Sequence, residues 1–227
     1  MFVMKDNIFE IYVRKVYYKL TDMLMRFQLK NQDFSLICPT CIGGVISHHL
    51  GKQFLSPTIN LWLTENDFYK FVMDLKWYID SQVEYSHRDS TYDFPVGVIH
   101  GRYQIPEQDV FINFNHHKVF EEAVADWDKR KQRINWDNIY VIASTRGNCE
   151  SRDKIERWGN AYYIAKGVVC FTAGDYPDIP FALQLKAFKE RDCCGSYMTE
   201  AISKYFKKLS YERDFDYVRW LNTGVVK

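Results

Sequence analysis

A cysteine immediately ahead of a glycine pair is the first place in this sequence where chemistry could be done. Cys41 lies in the run Cys38-Pro39-Thr40-Cys41-Ile42-Gly43-Gly44, whose glycines are placed to open a helix. Free N–H groups at a helix start bind anions and lower a thiol pKa. Cys41 is therefore a candidate nucleophile, and Gly43 and Gly44 are candidate substrate-binding residues. The competing reading is a buried cysteine in a tight strand-to-helix turn, because cysteine is among the most buried residue types. Cys38 and Cys41 also have the spacing of a redox pair, though their neighbours do not follow the thioredoxin pattern. Zinc held with His48 and His49 is disfavoured, since a structural site wants a second well-spaced ligand pair. No metal site is assigned.

The second focus is Asn113-Phe114-Asn115-His116-His117. His116 or His117 could serve as general base for Cys41 or for a substrate hydroxyl. Asn113 and Asn115 could orient that histidine or bind sugar hydroxyls. Alternatively, both histidines pack against or cap the helix that follows. Thr145 and Arg146, after the apolar run 138–144, and Asp175, after 167–172, complete the candidates. Arg146 would pair with a phosphate-bearing donor. No serine-hydrolase elbow, Walker loop or dinucleotide glycine fingerprint is present, so no cofactor is named. Asp214-Phe215-Asp216 has the spacing of a nucleotide-sugar metal motif, but it precedes an expected terminal helix and is read as incidental.

Short apolar runs alternating with helical periodicity must position these residues. Strands are expected at 34–38, 58–63, 95–99, 109–114, 138–144 and 167–172, with an edge strand at 181–188. Helices are expected at 6–30, 43–50, after Thr64 for about 15 residues with Thr64 and Asp67 as a capping box, and at 118–133, 150–158, 196–209 and 214–221. Strands alternating with helices imply parallel pairing, and near-continuous apolar strands imply a sheet covered on both faces. The expected fold class is α/β: a three-layer, Rossmann-like domain with a mostly parallel sheet, residues 31–227, preceded by an amphipathic helix at 1–30. The polar stretch 81–108 reads as a lid or insertion. Ligands of an open parallel sheet bind beyond the carboxyl ends of its strands. That rule brings Cys41, Asn115, Thr145 and Asp175 to one rim.

Composition narrows the class further. The 227 residues are 47% hydrophobic and 26% charged, with net charge +1. These figures exclude a disordered chain, a disulfide-dense scaffold and a globally basic nucleic-acid binder. The first residues lack a signal-peptide core, and no apolar run has the length of a membrane span. A cytoplasmic protein is expected, its six irregularly spaced cysteines free thiols. The basic face of the 6–30 helix, net +3 with Lys5, suits a solvated surface or a peripheral contact with the inner face of the membrane. The 17% aromatic content suits core packing or stacking on sugars.

Several of these segments carry a resemblance. They are Cys41-Ile42-Gly43-Gly44, Ser56-Pro57-Thr58-Ile59-Asn60-Leu61, Ile112-Asn113-Phe114-Asn115-His116 with Phe120-Glu121-Glu122-Ala123, Trp127 through Arg130, Arg133-Ile134-Asn135, and Asp214-Phe215-Asp216-Tyr217. Together they resemble a bacterial family of unknown function often labelled exopolysaccharide biosynthesis protein, from about Asp33 to Leu221. Where that family has Asn-Asn-Cys-Trp-Gly-Gly, this chain has Pro39-Thr40-Cys41-Ile42-Gly43-Gly44. The family's aromatic after the strand-end histidine is His117 here. The resemblance implies a capsule or exopolysaccharide setting. It does not imply a reaction; the polar strand ends converging on one rim, taken with that setting, give the first reading, a transferase, acyl transfer foremost, acting on a sugar or glycan precursor. A nucleotide-sugar glycosyltransferase and a non-catalytic scaffold of the polysaccharide machinery are the alternatives.

Overall fold

The computed structural model describes residues 8–145, 150–186 and 210–227. In chain order the helices and strands are α1 (Ile8–Gln28), β1 (Ser35–Ile37), α2 (Ile42–His49), α3 (Glu65–Met73), α4 (Leu75–Asp80), β2 (Glu84–Arg88), β3 (Pro95–Ile99), β4 (Val110–Asn113), α5 (Phe120–Lys131), β5 (Ile139–Ser144), α6 (Arg152–Glu156), β6 (Gly167–Thr172), β7 (Ala182–Gln184) and α7 (Tyr217–Thr223). β1, β5, β6 and β7 form a sheet in that order, every neighbouring pair parallel.

The two-residue period of the strands sorts their side chains into two cores. Ile139, Val141 and Ala143 of β5, with Val168 and Cys170 of β6, face α3, α4, α5 and the helical turns after β5. Tyr140 and Ile142, with Val169 and Phe171, face α2 and α7. The protein is thus α/β, its parallel sheet covered on both faces as the apolar runs required.

A second sheet, β2-β3-β4, is antiparallel. Val98 and Ile99 of β3 and Val110 and Ile112 of β4 are buried, while β2 is mostly exposed. Close packing here requires Gly97. A Cβ at that position would lie 2.6 Å from Val83 Cγ1 and 2.9 Å from the Phe114 ring.

This arrangement corrects several sequence expectations. The 109–114 run forms β4, which pairs with β3 rather than joining the parallel sheet. Within the 81–108 stretch, read as a lid or insertion, the expected strand at 95–99 is β3, and the strand not expected is β2, which pairs with it in the second sheet. Residues 58–63 are a turn with one β-bridge at Trp62. The helix after Thr64 is broken into α3 and α4 at Asp74, whose φ of −134° and ψ of 46° leave the helical region. The 150–158 helix is a five-residue α6 followed by 3₁₀ turns to Tyr163. Thr64 caps α3 as expected: its hydroxyl accepts from the Asp67 N–H and donates to Asp67 Oδ2. The expected helix at 196–209, Arg146, Cys149, Cys193 and Cys194 lie outside the described residues.

The last turn of α2 is tied down at His49. Its Nδ1 is 3.1 Å from Glu212 Oε1, which also accepts from the Tyr217 hydroxyl, and its carbonyl accepts from Arg26 Nε. Glu212 raises the His49 pKa against the opposing effect of burial. A raised folded-state value means that the charged imidazolium stabilises the fold. That stabilisation is complete below the ordinary histidine value of about 6.5 and is lost as pH rises through the raised value. Denaturant melts from acid to mildly alkaline pH should therefore show the wild type losing stability relative to His49→Gln across that window. Parallel curves would refute this contribution.

Candidate functional site

The loop after β1 and the end of β4 are held together by residues 58–63. The Cys38 N–H donates to Thr58 Oγ1 at 3.2 Å, and the Leu63 N–H donates to the Pro39 carbonyl at 3.0 Å. Trp62 and Asn113 exchange both backbone hydrogen bonds, each 3.0 Å, and Asn113 Nδ2 adds a third to the Trp62 carbonyl. A loop from one sheet and a strand end from the other thus share one strut. Losing the side-chain hydrogen bond in Asn113→Ala should cost about 1 kcal/mol of stability. It should also slow Cys41 alkylation by loosening the strut. Unchanged stability and alkylation would show that the backbone bridge suffices.

The strut brings Cys41 and His116, 75 residues apart in sequence, into contact. Cys41 Sγ is 3.1 Å from His116 Nε2. A thiol donating to a bare Nε2 and a thiolate accepting from Nε2–H both fit that contact. Cys41 is half-buried at the N-cap of α2, and His116 is exposed. The helix start does not dominate the thiol as expected. Burial pushes its pKa above the ordinary thiol value, and a hydrogen bond from the Asn115 side chain pulls it back. Burial also pushes the Cys38 thiol up, to about 11, and the Cys170 thiol well above its ordinary value. Both are fully buried, so of the free cysteines among the described residues only Cys41 reaches solvent.

The other candidates fall in different places. His117 turns away from Cys41 toward α5, where Nε2 lies 3.3 Å from Asp126 Oδ2 and the ring meets Phe114 edge-on. Asp126 also accepts from Arg130, which itself braces the strut by donating to the Ile59 carbonyl. Asn113 is spent on Trp62. Gly43 and Gly44 are buried in the first turn of α2, and their lack of side chains lets the helix lie against residues 59–60. A Cβ on Gly44 would sit 2.8 Å from Asn60 Oδ1, and one on Gly43 3.3 Å from Ile59 Cδ1. The Gly43 backbone N–H also pulls the Cys38 thiol down against the larger effect of burial.

Thr145 belongs to a separate cluster at the ends of β5 and β6. Its hydroxyl donates to Glu150, which also accepts from the Ala173 and Gly174 N–H groups. Asp175 is exposed beside it. Asp214 accepts from the Lys186 N–H and pairs with Arg213, while Asp216 caps α7 through the Arg219 N–H. Both carboxylates of that motif are thus engaged in structure. Among the described residues no group of three His, Cys, Asp or Glu is placed to hold a metal ion.

Sequence reading missed Trp62, Thr58, Arg130 and Glu150 as supports. The i,i+4 pair of Asp126 and Arg130 on α5 was the available signal. Glu150 and the backbone partners left none.

The fold and site define a class: an α/β protein whose parallel sheet meets an antiparallel one at a cysteine–histidine pair. The chain belongs to the DUF1919 family, described as a domain of unknown function, which it matches over residues 12–222. It is also similar to a protein of Haemophilus influenzae named only "Uncharacterized protein". The two are 28% identical over 195 residues, covering 86% of this chain and 87% of that protein.

Proposed function

We propose that this protein is a cysteine-dependent acyltransferase that moves an acyl group from a thioester donor to a hydroxyl of a sugar or glycan precursor. The observation that carries the reading is the 3.1 Å contact between Cys41 Sγ and His116 Nε2. A nucleophile within hydrogen-bond reach of a base is the arrangement covalent acyl transfer requires. In the first half-reaction His116 takes the Cys41 proton, Sγ bonds to the acyl carbon, and the donor C–S bond breaks. The departing thiolate takes the proton from His116. In the second, His116 takes the acceptor hydroxyl proton, the hydroxyl oxygen bonds to the acyl carbon, the bond to Sγ breaks, and Cys41 regains its proton. Asn115 assists by stabilising the thiolate that burial disfavours.

An exposed histidine beside a half-buried thiol suits an acceptor that enters from solvent, as a glycan precursor would. The sugar itself is supported by the resemblance to the exopolysaccharide-labelled family. The test is a thermal-shift screen of wild type and Cys41→Ala against acyl thioesters and nucleotide sugars. A ligand of the folded state adds about 2.7 kcal/mol at a hundredfold excess over its dissociation constant. A shift with acyl thioesters that weakens in Cys41→Ala supports the reading. A shift with nucleotide sugars alone would replace it with glycosyl transfer.

A further inference from the structure

We propose that α1 is an in-plane anchor that docks the protein on an anionic lipid surface. The C-terminal end of α1 is fixed to the body. Arg26 donates to the His48 and His49 carbonyls, Leu29 is buried, and Asn222 accepts from the Lys30 and Asn31 N–H groups while donating to the Gln28 carbonyl. Tyr17, Tyr18, Thr21, Asp22 and Met25 turn partly inward.

The opposite side carries Val13, Val16, Leu20, Met23, Leu24 and Phe27, with Tyr12 at its edge, all exposed; Leu20 is 51% and Phe27 89% accessible. At 100° per residue they fall within about a third of the helix circumference, one continuous stripe over four turns. Soluble proteins rarely leave a stripe this long uncovered, and such patches mark interaction sites.

Charge selects the occupant. Residues 5–30 hold six of the chain's 30 Lys and Arg but three of its 29 Asp and Glu, giving +3 there and −2 in the remainder. Lys15, Lys19 and Arg26 lie along one border of the stripe. The acid on that border, Asp22, is half-buried beside Arg26. Val13, Val16, Leu20, Met23 and Phe27 also have the three-and-four spacing of a helix-pairing seam. However, an antiparallel pair of α1 helices would bring the basic borders together, and a parallel pair would set Lys19 against Leu24, so neither supplies the opposite charges that set such pairing. An apolar stripe with a basic border instead suits acyl chains below and anionic headgroups beside it.

The test is co-sedimentation of the full chain with phosphatidylcholine vesicles, with and without about a third phosphatidylglycerol, beside sedimentation velocity without lipid. The wild type should bind the anionic vesicles, less so at high salt. Leu20→Glu with Phe27→Glu should reduce binding to background with an unchanged melting midpoint. Lys15→Gln with Lys19→Gln should weaken it about fivefold per lysine. Equal binding to neutral vesicles, or none to either, overturns the proposal. A dimer that Phe27→Glu abolishes, in protein that ignores vesicles, would assign the stripe to a second copy instead. Acyl-thioester binding by the vesicle-free protein is scored separately, so failure here leaves the Cys41 reading standing.

Discussion

His116→Ala should lower acyl transfer by about 10²–10⁴-fold, the usual contribution of a positioned acid–base group. Cys41→Ala should abolish it. The two effects should not add, because His116 acts on the Cys41 proton and has nothing to deliver once the thiol is gone. His117→Ala should leave the chemical step nearly intact, since that ring faces Asp126 and Phe114 rather than Sγ. Asn115→Ala has a signed consequence. It removes the hydrogen bond that offsets burial, so the Cys41 pKa rises further and alkylation at neutral pH slows. Iodoacetamide rate profiles against pH check this: the Asn115→Ala curve should lie to the alkaline side of wild type. A curve displaced to the acid side, or a His117 variant as damaged as the His116 variant, would reverse these assignments.

Trp127→Ala should be among the most damaging single truncations, costing about 3–5 kcal/mol. Trp127 lies on α5, 1% exposed, with its ring 6.0 Å from that of Phe71 on α3. It belongs to the core that joins the parallel sheet to the antiparallel one. Removing the indole leaves a cavity in the face that supports β4, so Cys41 labelling should become less selective as stability falls. Trp127→Phe should cost much less. The indole Nε1–H is buried without a hydrogen-bond partner among the described residues, so losing it sacrifices no bond. Urea melts of the two variants give the comparison. A Phe variant as unstable as the Ala variant would show that the Nε1–H has a partner.

The parallel sheet was legible because β5 and β6 are apolar at nearly every position, a pattern that only a doubly covered sheet explains. β4 carries the same pattern on a short run, and periodicity cannot distinguish a strand of the main sheet from one of a second sheet. β2 was invisible for the opposite reason: Glu84-Tyr85-Ser86-His87-Arg88 is polar and mostly exposed, and pairing with β3 alone makes it a strand. Cys41 and His116 were readable as residue types at element ends. The strut that joins them was not, because its bonds run largely through the backbone of Pro39, Trp62, Leu63 and Asn113. The thiol's pKa direction was also misread, since a helix start is visible in sequence and local burial is not.

The most direct measurement is intact-mass and peptide mapping of the protein after brief mixing with an acyl thioester in the absence of acceptor. A single acyl adduct on Cys41 should form, accumulate much more slowly in His116→Ala, and be discharged on adding a sugar hydroxyl acceptor. An adduct on another residue, or a Cys41 adduct that forms at the same rate without His116, would contradict the nucleophile–base pairing on which the account rests.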